Sequence, residues 1–97
     1  MREVLRQELM DMANRQFPAV ARAGGYPIYR NHCFLRVVYD HLFQKKWQAA
    51  LDNKKPAIHQ LDETQLRRAI HLGNQLMADR QCCEIMNRKS LEWRGKQ

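Results

Sequence analysis

The sequence predicts an all-α fold: a small single-domain bundle of three main helices with a short C-terminal helical element or tail. Three observations carry this reading. Apolar residues recur at the 3.6-residue helical period over 2–17, 31–51 and 62–79. Gly24-Gly25 and the proline-containing polar stretch 52–56 separate those segments. The one extended stretch, Tyr26-Pro27-Ile28-Tyr29, has no partner strand of comparable quality.

The first helix is set by Val4, Leu5, Leu9, Met12 and Ala13, which share one face. Pro18 is expected to end or kink it, or to open a short second turn from Pro18 to Ala23. Gly24 and Gly25 then terminate the segment.

Residues 31–51 are the most apolar stretch, with Asn31 as the expected N-cap. Phe34, Leu35, Val38, Tyr39, Leu42, Phe43 and Trp47 form a broad arc, which predicts the central helix of the bundle. Phe34, Leu35, Val38, Leu42 and Phe43 are its expected buried residues. The polar face runs His32, Arg36, Asp40, Gln44, and its spacing lets Arg36 and Asp40 pair across one turn.

The third helix has the clearest local signature. Asp62 followed by Gln65 is a capping box, and Leu61 with Leu66 makes a hydrophobic staple. Its apolar face is Leu66, Ala69, Ile70, Gly73, Leu76 and Met77. A glycine on that face predicts the close approach of another helix. Asp79 is a cap for a short helix from Arg80 to Arg88. Residues 90–97 read as a tail pinned by Leu91 and Trp93.

The chain has 97 residues and a mass of 11.6 kDa, the size of one domain, taken here as 1–97. A chain of this length buries roughly 60–70% of its unfolded surface and folds without staples. No stretch reaches the roughly 20 apolar residues that a membrane span requires. The first twenty residues carry three acidic groups and lack the apolar core of a secretory leader. Three cysteines, two of them adjacent, argue against a disulfide scaffold and for a reducing, cytoplasmic setting.

The formal net charge is +7, from 17 Lys and Arg against 10 Asp and Glu. Residues 30–97 hold thirteen basic and seven acidic groups, so most of the excess lies there. A field of that sign attracts polyanions.

Several chemistries lack their motifs. There is no phosphate-binding glycine loop, no H-E-x-x-H and no G-x-S-x-G. His32, Cys33, His41, His59, His71, Cys82 and Cys83 are the zinc-ligand types present, but none has the tight spacing of a zinc site. His32 and His41 fall on opposite faces of a helix. Cys33 near a helix N-terminus is a candidate nucleophile, but its neighbour His32 points about 100° away and makes a poor base. No cofactor and no metal are expected, and enzyme is the minority reading.

What remains is a basic binding face. Lys45, Lys46, Lys54, Lys55, Arg67 and Arg68 lie within 24 residues around one helix–loop–helix corner. Arg36 and His71 flank it. Such groups hold backbone phosphates, so the expected partner is RNA or DNA. The break between the two helices is about ten residues long, against three or four in a helix-turn-helix. The rival expectation is a protein-interaction adaptor or regulator, acting through an apolar dimer or partner surface left on the central helix. Tyr29-Arg30-Asn31-His32-Cys33-Phe34-Leu35-Arg36, followed by Tyr39-Asp40 and Trp47, is a dense block to which the sequence attaches no activity.

Overall fold

The computed structural model describes residues 1–96, and among them every regular element is helical. They are α1 (Arg2–Asp11), α2 (Phe17–Gly24), α3 (Asn31–Phe43), α4 (Glu63–Ala78) and α5 (Arg80–Trp93). A π-turn (Met12–Gln16) joins α1 to α2 without a break, so the chain forms four helical rods. Two 3-10 turns, Trp47–Ala49 and Ala57–Gln60, lie between α3 and α4. None of these helices is long and apolar enough to cross a membrane.

Pro18 does not break the first rod but stands in the first turn of α2, close to the second segment expected from Pro18 to Ala23. A proline in a helix donates no hydrogen bond and its ring strikes the carbonyl four residues back. The π-turn lies just ahead of it, and the Phe17 N–H there bonds the Met12 carbonyl, five residues back. That wider turn takes up the misfit and lets the rod run on to Gly24. Gly25, at φ 64°, closes the rod in the left-handed conformation.

The second rod is shorter than its apolar period implies. α3 starts with Arg30, not Asn31, as its N-cap, and it ends at Phe43 instead of residue 51. Gln44 takes the left-handed conformation at φ 55°. Trp47 therefore sits outside the helix and returns to meet Tyr39 edge-on, with ring centroids 5.9 Å apart. Phe34 and Val38 are fully buried as expected, and Val37 joins them. Leu35, Leu42 and Phe43 are only half-buried against the core.

α4 begins as the sequence implies. The Gln65 N–H donates to Asp62 Oδ1 at 2.8 Å, and the Asp62 N–H donates to Gln65 Oε1 at 2.9 Å. Leu61 and Leu66 are both buried. This helix packs against α1, α2, α3 and α5, so the central position belongs to α4 as much as to α3. Gly73 explains the fit: a Cβ there would come within 2.6 Å of Met12 Cε and 2.7 Å of Phe34 Cζ.

The C-terminal element is a full fourth rod, not a short helix and a tail. Asp79 caps it, accepting the Cys82 N–H at 2.7 Å. α5 then runs through to Trp93, burying Cys83, Met86 and Ser90.

Candidate nucleic-acid interface

The corner between α3 and α4 is built by backbone devices that turn its lysines outward. The left-handed turn at Gln44 throws Lys45 and Lys46 clear of the helix, and both are exposed. The next loop is clamped by one side chain. Gln60 Oε1 accepts the Asp52 N–H at 2.9 Å, while Gln60 Nε2 donates to the Asp52 carbonyl at 2.7 Å and the Lys55 carbonyl at 3.1 Å. Asp52 Oδ1 in turn accepts the Lys54 N–H at 2.9 Å. Lys54 and Lys55 thus occupy the tip of a fastened loop, and their side chains are exposed. Arg6 Nε ties the base of that loop to α1 through the Ile58 carbonyl at 3.4 Å.

The remaining corner residues differ in their freedom. Arg67 and Arg68 are exposed on the first turns of α4, and His71 is exposed one turn further on. Arg67 bonds Glu63 at 3.2 Å, which cancels its charge locally, while Arg68 has no carboxylate partner among the described residues. Arg36 lies beside this corner, lining a hollow with Trp47, Gln48 and Pro56. It is half-buried between α3 and α5, with Nη2 donating to Asn87 Oδ1 at 2.6 Å and Nη1 to Ser90 Oγ at 3.2 Å.

The expected Arg36–Asp40 pair does not form, because Asp40 is turned inward. Its carboxylate is fully buried and bridges α3, α5 and the chain beyond each. Arg94 donates to it through Nε at 2.7 Å and Nη2 at 2.9 Å. Ser90 Oγ and the Trp47 N–H complete the set at 2.6 and 2.9 Å. Gln48 Oε1 accepts a second bond from Arg94 Nη2 at 3.0 Å. A buried carboxylate so fully partnered serves to fix geometry. It locks the α3 exit, where the lysine corner begins, to the end of α5.

The charge excess has a distinct composition. Among the described residues, ion pairs join Glu3–Arg6, Asp11–Arg15, Glu63–Arg67, Glu84–Arg80 and Asp40–Arg94. All of them use arginine, so among the described residues none of the six lysines has a carboxylate within ion-pair distance. Arg22 and Arg30, absent from the basic face expected from the sequence, also have no carboxylate partner among the described residues and lie over the Tyr29 ring. The signal that could have found them is the aromatic set beside basic residues in the Tyr29–Arg36 block.

Cys82 and Cys83 are poorly placed for thiolate chemistry. Burial pushes the Cys83 thiol up to about 11. The Asp79 carboxylate, through its hydrogen bond, raises that of Cys82. Reactive cysteines need the opposite shift. Cys33 is half-buried. His41 Nε2 sits 2.8 Å from the Met86 carbonyl, and its ring meets Trp93 edge-on at 4.9 Å. Among the described residues no three His, Cys, Asp or Glu side chains lie close enough together to hold a metal ion.

No protein-family model, curated protein or solved structure matches this chain.

Proposed function

We propose that this is a non-enzymatic binding protein whose basic corner contacts the phosphate backbone of nucleic acid. The observation that carries the reading is the uneven distribution of ion pairs. Carboxylates pair with five of the eleven arginines and, among the described residues, with none of the six lysines, four of which lie along one corner. Free, exposed lysines on a fastened loop are suited to neutralising phosphates without reading bases. Lys45, Lys46, Lys54, Lys55 and Arg68 are the contact residues in this reading, with Arg67 and His71 beside them. Arg36 acts through position only, since its guanidinium holds α5.

Fluorescence anisotropy with a labelled 20-residue RNA and a DNA duplex, at low and moderate salt, tests the proposal. Micromolar binding at low salt that weakens steeply with salt supports it. No binding of either at low salt rejects it. The adaptor reading, through the half-buried Leu35, Leu42 and Phe43, then takes its place, and light scattering on the same sample shows whether two copies associate.

A further inference from the structure

A second cationic cluster sits at the other end of α3. Arg30 is the N-cap of that 13-residue helix, and Lys45 lies just beyond its C-cap. At 1.5 Å per residue the two ends are about 20 Å apart. The N-terminal end opens on a shallow, solvent-open hollow of about 560 Å³ between α2 and α3. Arg22, Tyr29, Arg30 and His32 line it, and no carboxylate does among the described residues.

The members of the cluster lie against one another. The Arg22 and Arg30 guanidinium carbons lie 5.1 and 5.7 Å from the Tyr29 ring centroid. Asn31 Nδ2 donates to Asn14 Oδ1 at 2.8 Å, which fastens the start of α3 to the π-turn. Tyr29 itself is 39% exposed, one of the few large apolar side chains that face solvent. An exposed tyrosine held against two unpaired guanidiniums offers two things at once. The guanidiniums present forked donors to phosphate oxygens. The ring and guanidinium planes present flat surfaces to a base.

We propose that this hollow is a nucleotide subsite for single-stranded nucleic acid, with a phosphate on Arg22 and Arg30 and a base against the Tyr29 layer. The strand must be single, because bases stacked inside a duplex are not available to an aromatic side chain. The inference rests on the nucleic-acid reading of the basic corner. A strand stacked at 3.4 Å per nucleotide covers the roughly 20 Å between the two sites in about six nucleotides.

The test uses the full chain and a labelled 12-residue oligouridylate, with a 12-base-pair DNA duplex as comparison. The double variant Arg22→Glu/Arg30→Glu is expected to weaken oligouridylate binding by tenfold or more and to leave the duplex less affected. Tyr29→Ala is expected to weaken the single strand alone, by about tenfold. These side chains are exposed, and thermal melting checks that each variant still folds. Irradiation of a 5-iodouridine oligomer is expected to cross-link to Tyr29, which needs no variant. If the Arg22/Arg30 variant binds oligouridylate as the parent does while Lys54→Glu/Lys55→Glu does not, the subsite is wrong and the basic corner stands. If the parent protein binds neither ligand at low salt, both readings fall.

Discussion

Asp40 and Arg94, 54 residues apart in sequence, form a two-pronged ion pair at 2.7 and 2.9 Å around a carboxylate with no exposed surface. The pair closes the C-terminal helix onto α3. Removing one partner strands a buried charge, which costs about 3–5 kcal/mol. Arg94→Ala should therefore lower stability by that amount in urea denaturation. Replacing both residues by apolar ones of similar volume, Asp40→Leu with Arg94→Met, should cost much less than the sum of the single changes. An Arg94→Ala loss below about 0.5 kcal/mol would show that the pair contributes only a surface bond.

Gly73 is held by shape. A methyl there meets the buried Phe34 ring at 2.7 Å, and that ring has nowhere to go. Overpacking costs about 1–3 kcal/mol, against about 1 kcal/mol gained from better helix propensity. Gly73→Ala should be net destabilising in the same denaturation assay. A gain of about 1 kcal/mol would mean that the α3–α4 contact is looser than the structure has it.

These two contacts show which parts of the fold the sequence makes legible. The α4 capping box lies in three consecutive residue steps, so both halves of the reciprocal bond are visible in the chain. Gly73 is visible as a glycine on an apolar face. Asp40 is not legible, because its partner comes from the far end of the chain, and a carboxylate spaced four from Arg36 looks like a surface pair. Ser90 hides the length of α5 for the same reason. It occupies a buried position of the helical period, and its hydroxyl serves Asp40 and Arg36, both distant in sequence. The apolar period past Phe43 misleads because Trp47 returns to Tyr39 from outside the helix. The lysine corner was readable as composition, whereas the Arg22–Tyr29–Arg30 cluster needs the turn between α2 and α3 to bring its members together.

Tyr39 gives an alkaline signature. Burial pushes its hydroxyl up to about 12 from the usual 10. The folded state thus favours the neutral phenol. The stability that follows is complete below pH 10 and is lost as pH rises from 10 towards 12. The slope in that window approaches about 1.4 kcal/mol per pH unit. Urea midpoints at pH 9, 10 and 11 should fall more gently for Tyr39→Phe than for the parent. Parallel curves would place Tyr39 in water.

The thiols should separate by burial. A thiol reagent at pH 8 is expected to modify Cys33 and Cys82 in the native protein and to leave Cys83 untouched until urea unfolds it. Burial both covers Cys83 and holds its thiol protonated. Equal native rates at all three positions would contradict the packing of α5.

The salt dependence of duplex binding tests the central claim most directly. Five unpaired cations, Lys45, Lys46, Lys54, Lys55 and Arg68, each neutralising one phosphate, predict a slope of log affinity against log salt of about −4.5. Lys54→Gln/Lys55→Gln should reduce its magnitude by about 2. A slope near zero, or one that the double substitution leaves unchanged, would contradict the assignment of the lysine corner as the phosphate-binding face.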